Sequence, residues 1–125
     1  MLKNYINGKW KYSYEKLTIK ANNPATQEVI AEIPFGEKNI KDVNEAVNCA
    51  YNAYLEWRDV PVMKRVQVLY RLKSLMEENL DILAKTITNE CGKTKSESYG
   101  ELQRAIENIE VACGTPVLIQ GDFIE

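Results

Sequence analysis

The sequence predicts an α/β chain: a few short strands first, then three or four packed amphipathic helices. Three observations carry that prediction. Residues 4–35 are rich in alternating or β-prone side chains broken by Gly, Asn and Pro. From residue 39 the apolar spacing changes from two to three and four, the period of a helix. A final helical stretch, GELQRAIENIEVACG at 100–114, carries an apolar stripe beside a charged one and stops at Gly114-Thr115-Pro116. We therefore divide the chain into strands over 1–36, helices over 37–114, and the start of a further, truncated element over 115–125.

Within the first part, residues 4–10 and 17–21 read as strands, with Gly8 and Ser13 marking bends. Asn22-Asn23-Pro24-Ala25-Thr26 is a turn, because Asn favours turns and Pro fixes φ while lacking a donor. Residues 29–34 return as a third strand, with Val29 and Ile33 on one face and Ile30 on the other. Over 39–57, Ile40, Val43, Ala46, Val47, Ala50, Tyr51 and Tyr54 form one broad apolar stripe. Pro61 suits the first turn of a second helix. Val62, Val66, Leu69, Leu72, Leu75, Met76, Leu80, Leu83 and Ile87 then continue the period. Asn79-Leu80-Asp81 leaves open whether this is one helix or two. In the last stretch, Tyr99, Leu102, Ile106, Ile109 and Cys113 share a face, and Glu97, Glu101, Arg104 and Asn108 fall on another. Residues 120–125 read as the onset of a strand.

Composition excludes several function classes. The chain has 125 residues, 27% of them charged and 45% hydrophobic, which are globular values. A net charge of −2 leaves no electrostatic footprint for nucleic acid or anionic lipid. The basic side chains Lys64, Arg65, Arg71 and Lys73 are followed by Glu77, Glu78 and Asp81, the pattern of solvated helix faces. No apolar run approaches the ~18 residues that span a bilayer, and the N-terminus has no signal-peptide core, so a soluble, cytoplasmic chain is expected. Cys49, Cys91 and Cys113 are scattered and odd in number, histidine is absent, and no Cys-x-x-Cys occurs. Neither a disulfide framework nor a metal site is expected. Cys49 and Cys113 read as packing residues. Cys91 sits in the turn Glu90-Cys91-Gly92-Lys93, with no histidine to complete a nucleophile pair.

Arg104 is the residue of interest on the charged stripe, because a guanidinium is a permanently charged fork that fits a carboxylate bidentately. By pattern alone it reads as a surface partner of Glu101 or Glu107, a contribution of about 0.3–0.5 kcal/mol.

A family resemblance changes that reading. Residues 87–100, ITNECGKTKSESYG, and the helix after them resemble the methylmalonate-semialdehyde (malonate-semialdehyde) branch of the aldehyde dehydrogenases. In that branch Gly-Lys closes one helix and the next reads Gly-acidic-x-x-Arg-Gly-x-Glu-x-Val-Glu, ending in small residues before Pro. Gly100, Glu101, Arg104, Glu107, Glu110, Gly114 and Pro116 match; Ala105 departs from the usual Gly, and Ile109 replaces Val. Tyr5-Ile6-Asn7-Gly8-Lys9-Trp10 and Asn23-Pro24-Ala25-Thr26 are similar to the opening of aldehyde dehydrogenases in general. The resemblance implies that Arg104 helps hold the carboxylate of a semialdehyde substrate. It implies an intact enzyme that uses NAD, and CoA as the acyl acceptor, and that forms a homo-oligomer. It also implies that the cofactor loops, the nucleophilic Cys and the general-base Glu lie downstream. Accordingly no catalytic, cofactor-binding or metal-binding residue is expected here, and no Gly-rich phosphate loop occurs. The resulting expectation is an N-terminal fragment of an aldehyde dehydrogenase subunit, inactive alone and partnered by the rest of that subunit. The alternatives are another branch, such as succinate-semialdehyde dehydrogenase, and a stand-alone helical interaction module.

Overall fold

A computed structural model describes residues 1–122 as four short strands and five helices: β1 (Asn4–Ile6), β2 (Lys9–Lys11), β3 (Thr18–Asn22), β4 (Val29–Pro34), α1 (Asn39–Trp57), α2 (Val62–Glu78), α3 (Leu80–Cys91), α4 (Lys95–Cys113) and α5 (Thr115–Leu118). They fall into two compact units. One holds residues 1–59 with 90–92, and the other holds 60–89 with the chain from 93 onward.

The first unit contains both two-stranded antiparallel sheets. β1 and β2 pair Asn4 with Lys11 and Ile6 with Lys9. The connection is Asn7-Gly8, with φ of 52° and 74°. Both central residues of a tight hairpin turn of this twist need positive φ, which Asn and Gly supply at least cost. β3 and β4 pair Thr18 with Pro34 through Ala21 with Ala31, with an irregularity at Asn22. Their connection is an Asx turn: Asn23 Oδ1 accepts from Ala25 N at 2.9 Å and Thr26 N at 3.3 Å. Gly92, at φ 68°, closes α3 beside this turn. A Cβ on Gly92 would meet Pro24 Cγ at 2.9 Å, so the close approach and the left-handed backbone both demand glycine.

Helix α1 keeps its predicted limits but not its predicted burial. Its buried residue is Asp42, which accepts from the Ser13 hydroxyl and, at 3.4 Å, from Tyr14 N. Lys11 donates to Glu45. The apolar stripe lies outward, with Ile40, Val43, Val47, Tyr51 and Tyr54 each more than half exposed. α1 thus meets the β segment through Asp42 and Glu45, which find hydrogen-bond partners there, and through the small side chains of Ala46 and Cys49 near the buried Ile6.

The second unit is helical, with α2 packed on α4 and, less extensively, on α5. Its core contains Val66, Ala84, Leu102, Ile106 and Cys113. α2 and α3 are separate helices. Asn79 caps α2, its backbone N–H returning to Leu75 and Met76 and its Nδ2 donating to Leu75 O at 2.8 Å. An Asn whose side chain binds the last turn competes with helix propagation, which explains the break. α5 opens the stretch 115–125, where the start of a further element is expected, and Pro116 stands in its first turn, where a missing N–H costs nothing. Residues 119–120 form a turn. The strand onset expected at 120–125 is not regular at 121–122, and its last three residues lie outside the described ones.

Candidate functional site

The site is built on the first half of α4. Thr94 caps the helix in a capping box: its hydroxyl accepts from Glu97 N at 3.3 Å, and Glu97 Oε2 accepts from Thr94 N at 2.9 Å. The Thr94 hydroxyl also donates to Glu97 Oε2 at 2.8 Å, and this bond first and the Thr94 backbone N–H second hold the Glu97 carboxyl below its usual range. Ser98, fully buried, donates to Thr94 O at 3.0 Å and pairs with Thr88 Oγ1 at 2.9 Å. Leu102 and Ile106 follow at four-residue steps on the same buried side, so the register of the helix is set by packing. Ile109 is half-buried, at the edge of that stripe.

With the apolar side inward, Glu97, Arg104, Glu107 and Asn108 are exposed. Glu101, at the boundary, is held by Lys93, Nζ to Oε2 being 2.5 Å. That contact holds the Glu101 carboxyl below its usual range, with the charge of Arg104 the smallest contributor. Glu107 accepts from Gln103 at 3.4 Å, and Glu110 pairs with Lys73 at 3.2 Å. Neither Glu101 nor Glu107 therefore takes Arg104. Among the described residues Arg104 has no ion-pair partner within 4.0 Å and no hydrogen bond from its side chain. The surface-pair reading from sequence pattern thus has no counterpart. The guanidinium lies back toward the N-terminal end of α4, where a Cβ added to Gly100 would sit 3.8 Å from one of its terminal nitrogens. Such a contact is ordinary, so Gly100 leaves room beside the fork without being compelled by it. Ala105, where the resemblance has Gly, is half-buried and accommodated.

The remaining candidates do not gather here. Cys91 is exposed at the end of α3, Cys49 is half-buried in α1, and Cys113 is buried in α4. Among the described residues no group of three or more His, Cys, Asp or Glu is placed to hold a metal ion. No described helix is long and apolar enough to cross a membrane. Among the described residues the strands form antiparallel pairs, and none leads through a Gly-rich turn into a helix N-terminus. Sequence reasoning missed the part played by Lys93. Its partner is eight residues away across a helix start, a spacing no helical period connects.

The aldehyde dehydrogenase family model matches residues 10–125. Malonate-semialdehyde dehydrogenase 2 of Oceanobacillus iheyensis is 45% identical over 121 residues, 97% of this chain and 24% of that protein. Among solved structures, methylmalonate-semialdehyde dehydrogenase from Oceanimonas doudoroffii is 37% identical with a TM-score of 0.86, over 94% of this chain and 23% of its own. An NAD-dependent benzaldehyde dehydrogenase from Corynebacterium glutamicum is 27% identical with a TM-score of 0.87, over 98% of this chain and 26% of its own. The chain thus spans about a quarter of the length of the relatives it matches.

Proposed function

This chain belongs to the aldehyde dehydrogenase family, and from that premise we propose that it forms the carboxylate-binding quarter of a malonate- or methylmalonate-semialdehyde dehydrogenase. The observation that carries the proposal is Arg104: an exposed guanidinium on a helix of fixed register, with its nearest acidic neighbours engaged elsewhere. The task of Arg104 is orientation. Two parallel N–H donors fix both oxygens of a carboxylate, and a small semialdehyde held at one end presents its carbonyl in one direction. The identity of 45% to a malonate-semialdehyde dehydrogenase supports that substrate class. Oxidation with NAD and acyl transfer to CoA belong, in this reading, to the other three-quarters of the subunit. We further propose that this remainder covers the apolar side of α1, that the completed subunit is a homo-oligomer, and that it acts in the cytoplasm.

The test is substrate-dependent kinetics on the full-length subunit. Arg104→Ala removes a charged hydrogen bond from a site closed by substrate, a loss of about 1.5–3 kcal/mol, or roughly ten- to more than a hundredfold in kcat/KM for malonate semialdehyde. Propanal, which has no carboxylate, should keep its kcat/KM. Arg104→Lys should recover only part of the loss, since an ammonium is a point charge and not a fork. Equal losses for both substrates, or no loss for either, would refute the assignment.

A further inference from the structure

We propose that Lys93 is a positioning residue for substrate: by occupying Glu101, it keeps the Arg104 guanidinium available to an external carboxylate. The inference rests on the carboxylate reading of Arg104 and adds a residue to it.

Three observations converge. Glu101 and Arg104 are three apart on α4, a spacing that makes them neighbours on the helix surface and ordinarily an ion pair. They are not paired: Glu101 Oε2 lies 2.5 Å from Lys93 Nζ instead. The backbone beside Lys93 is held in place, since Thr94 is locked by the capping box with Glu97 and by the Ser98 hydroxyl. Lys93 is therefore delivered to Glu101 by the helix start itself. The contact with Lys93 is also the largest influence that draws the Glu101 carboxyl below its usual range.

The physical consequence is a competition. A carboxylate on the same helix face faces Arg104 at an effective concentration in the millimolar range or above. A semialdehyde carboxylate has the same chemistry and must displace it. Pairing Glu101 with Lys93 weakens that internal competitor without altering Arg104. Glu107, three residues beyond Arg104, is similarly diverted to Gln103. Lys93 needs no contact with substrate for this effect.

Steady-state kinetics on the full-length subunit test the idea. Lys93→Met should raise KM for malonate semialdehyde about three- to tenfold while kcat changes less than about twofold and propanal kinetics stay as they were. Lys93→Arg should behave as the parent enzyme. Adding Glu101→Gln to Lys93→Met should bring KM back toward the parent value, because the competing carboxylate is gone; a lysine that merely stabilised the helix would show no such rescue. If Arg104→Ala selectively impairs the carboxylate substrate but Lys93→Met leaves KM unchanged, Lys93 has no positioning role and the reading of Arg104 stands. If Lys93→Met impairs both substrates alike and the double variant does not recover, the pair is structural and the inference fails. If Arg104→Ala shows no substrate selectivity, the reading of Arg104 fails first.

Discussion

Helices α1 and α4 are each 19 residues long and each carries an apolar stripe at helical spacing, yet they use it in opposite ways. α4 buries Leu102 and Ile106 at 6% and 3% exposure, packed with α2. α1 leaves Val43 and Val47 at 53% and 60% exposure and buries the carboxylate Asp42 instead. The contrast teaches that amphipathicity reports a helix with something to cover it, and does not say where that cover comes from. For α4 it comes from the neighbouring helix α2. For α1, we propose, it comes from the rest of the dehydrogenase subunit.

The largest expected effect breaks or keeps this contrast directly. Ile106→Asp places a carboxylate in the packed side of α4 and should cost about 3 kcal/mol or more in the melting of the 125-residue chain. Val47→Asp, on the outward stripe of α1, should change the same melt by less than about 0.5 kcal/mol. In the full-length subunit Val47→Asp should become strongly destabilising as well. Comparable melting shifts for the two variants in the short chain would dissolve the distinction. Ile109→Asp should fall between them, because Ile109 sits at the edge of the buried stripe.

A middle-sized effect sharpens the α1 side. Asp42→Ala strands the buried Ser13 hydroxyl and should lower stability by about 1–3 kcal/mol. Ser13→Ala combined with it should be clearly less than additive, since the two variants remove one shared contact. An additive pair in denaturant titrations would mean that α1 is not held on its polar side by this hydrogen bond.

The smallest effect lies at the start of α4. Thr94→Ala removes the cap and should cost about 1 kcal/mol. Because its partner Glu97 has its folded pKa below the ordinary value of 4.5, the capping contribution is present above that value. It is lost as pH falls through the lowered folded value. Denaturant midpoints followed between about pH 6 and pH 3 should therefore show a shallower acid loss in Glu97→Gln than in the parent chain. Identical slopes would mean the box contributes nothing in solution.

Much of this protein was legible without coordinates, wherever a local rule decided the outcome. The strand at Val29–Pro34, the helix at Asn39–Trp57, the turn around Asn23-Pro24 and the division of α4 into apolar and charged sides all follow from periodicity and turn chemistry. The family was legible too, but through a resemblance to a known motif, carried by Gly100, Glu101, Arg104 and Glu107. Each of those local elements depends on residues within a few positions of one another, where backbone preferences act alone. Tertiary structure decided the rest. It set the direction in which α1 faces, where Asp42 and Glu45 find hydrogen-bond partners in the β segment. It separated α2 from α3 at Asn79, where a side-chain bond and a helical bond compete on nearly equal terms. It also handed Glu101 to Lys93 and left Arg104 open. Two cations stood within reach of that carboxylate, and only the three-dimensional start of the helix determined which one arrived.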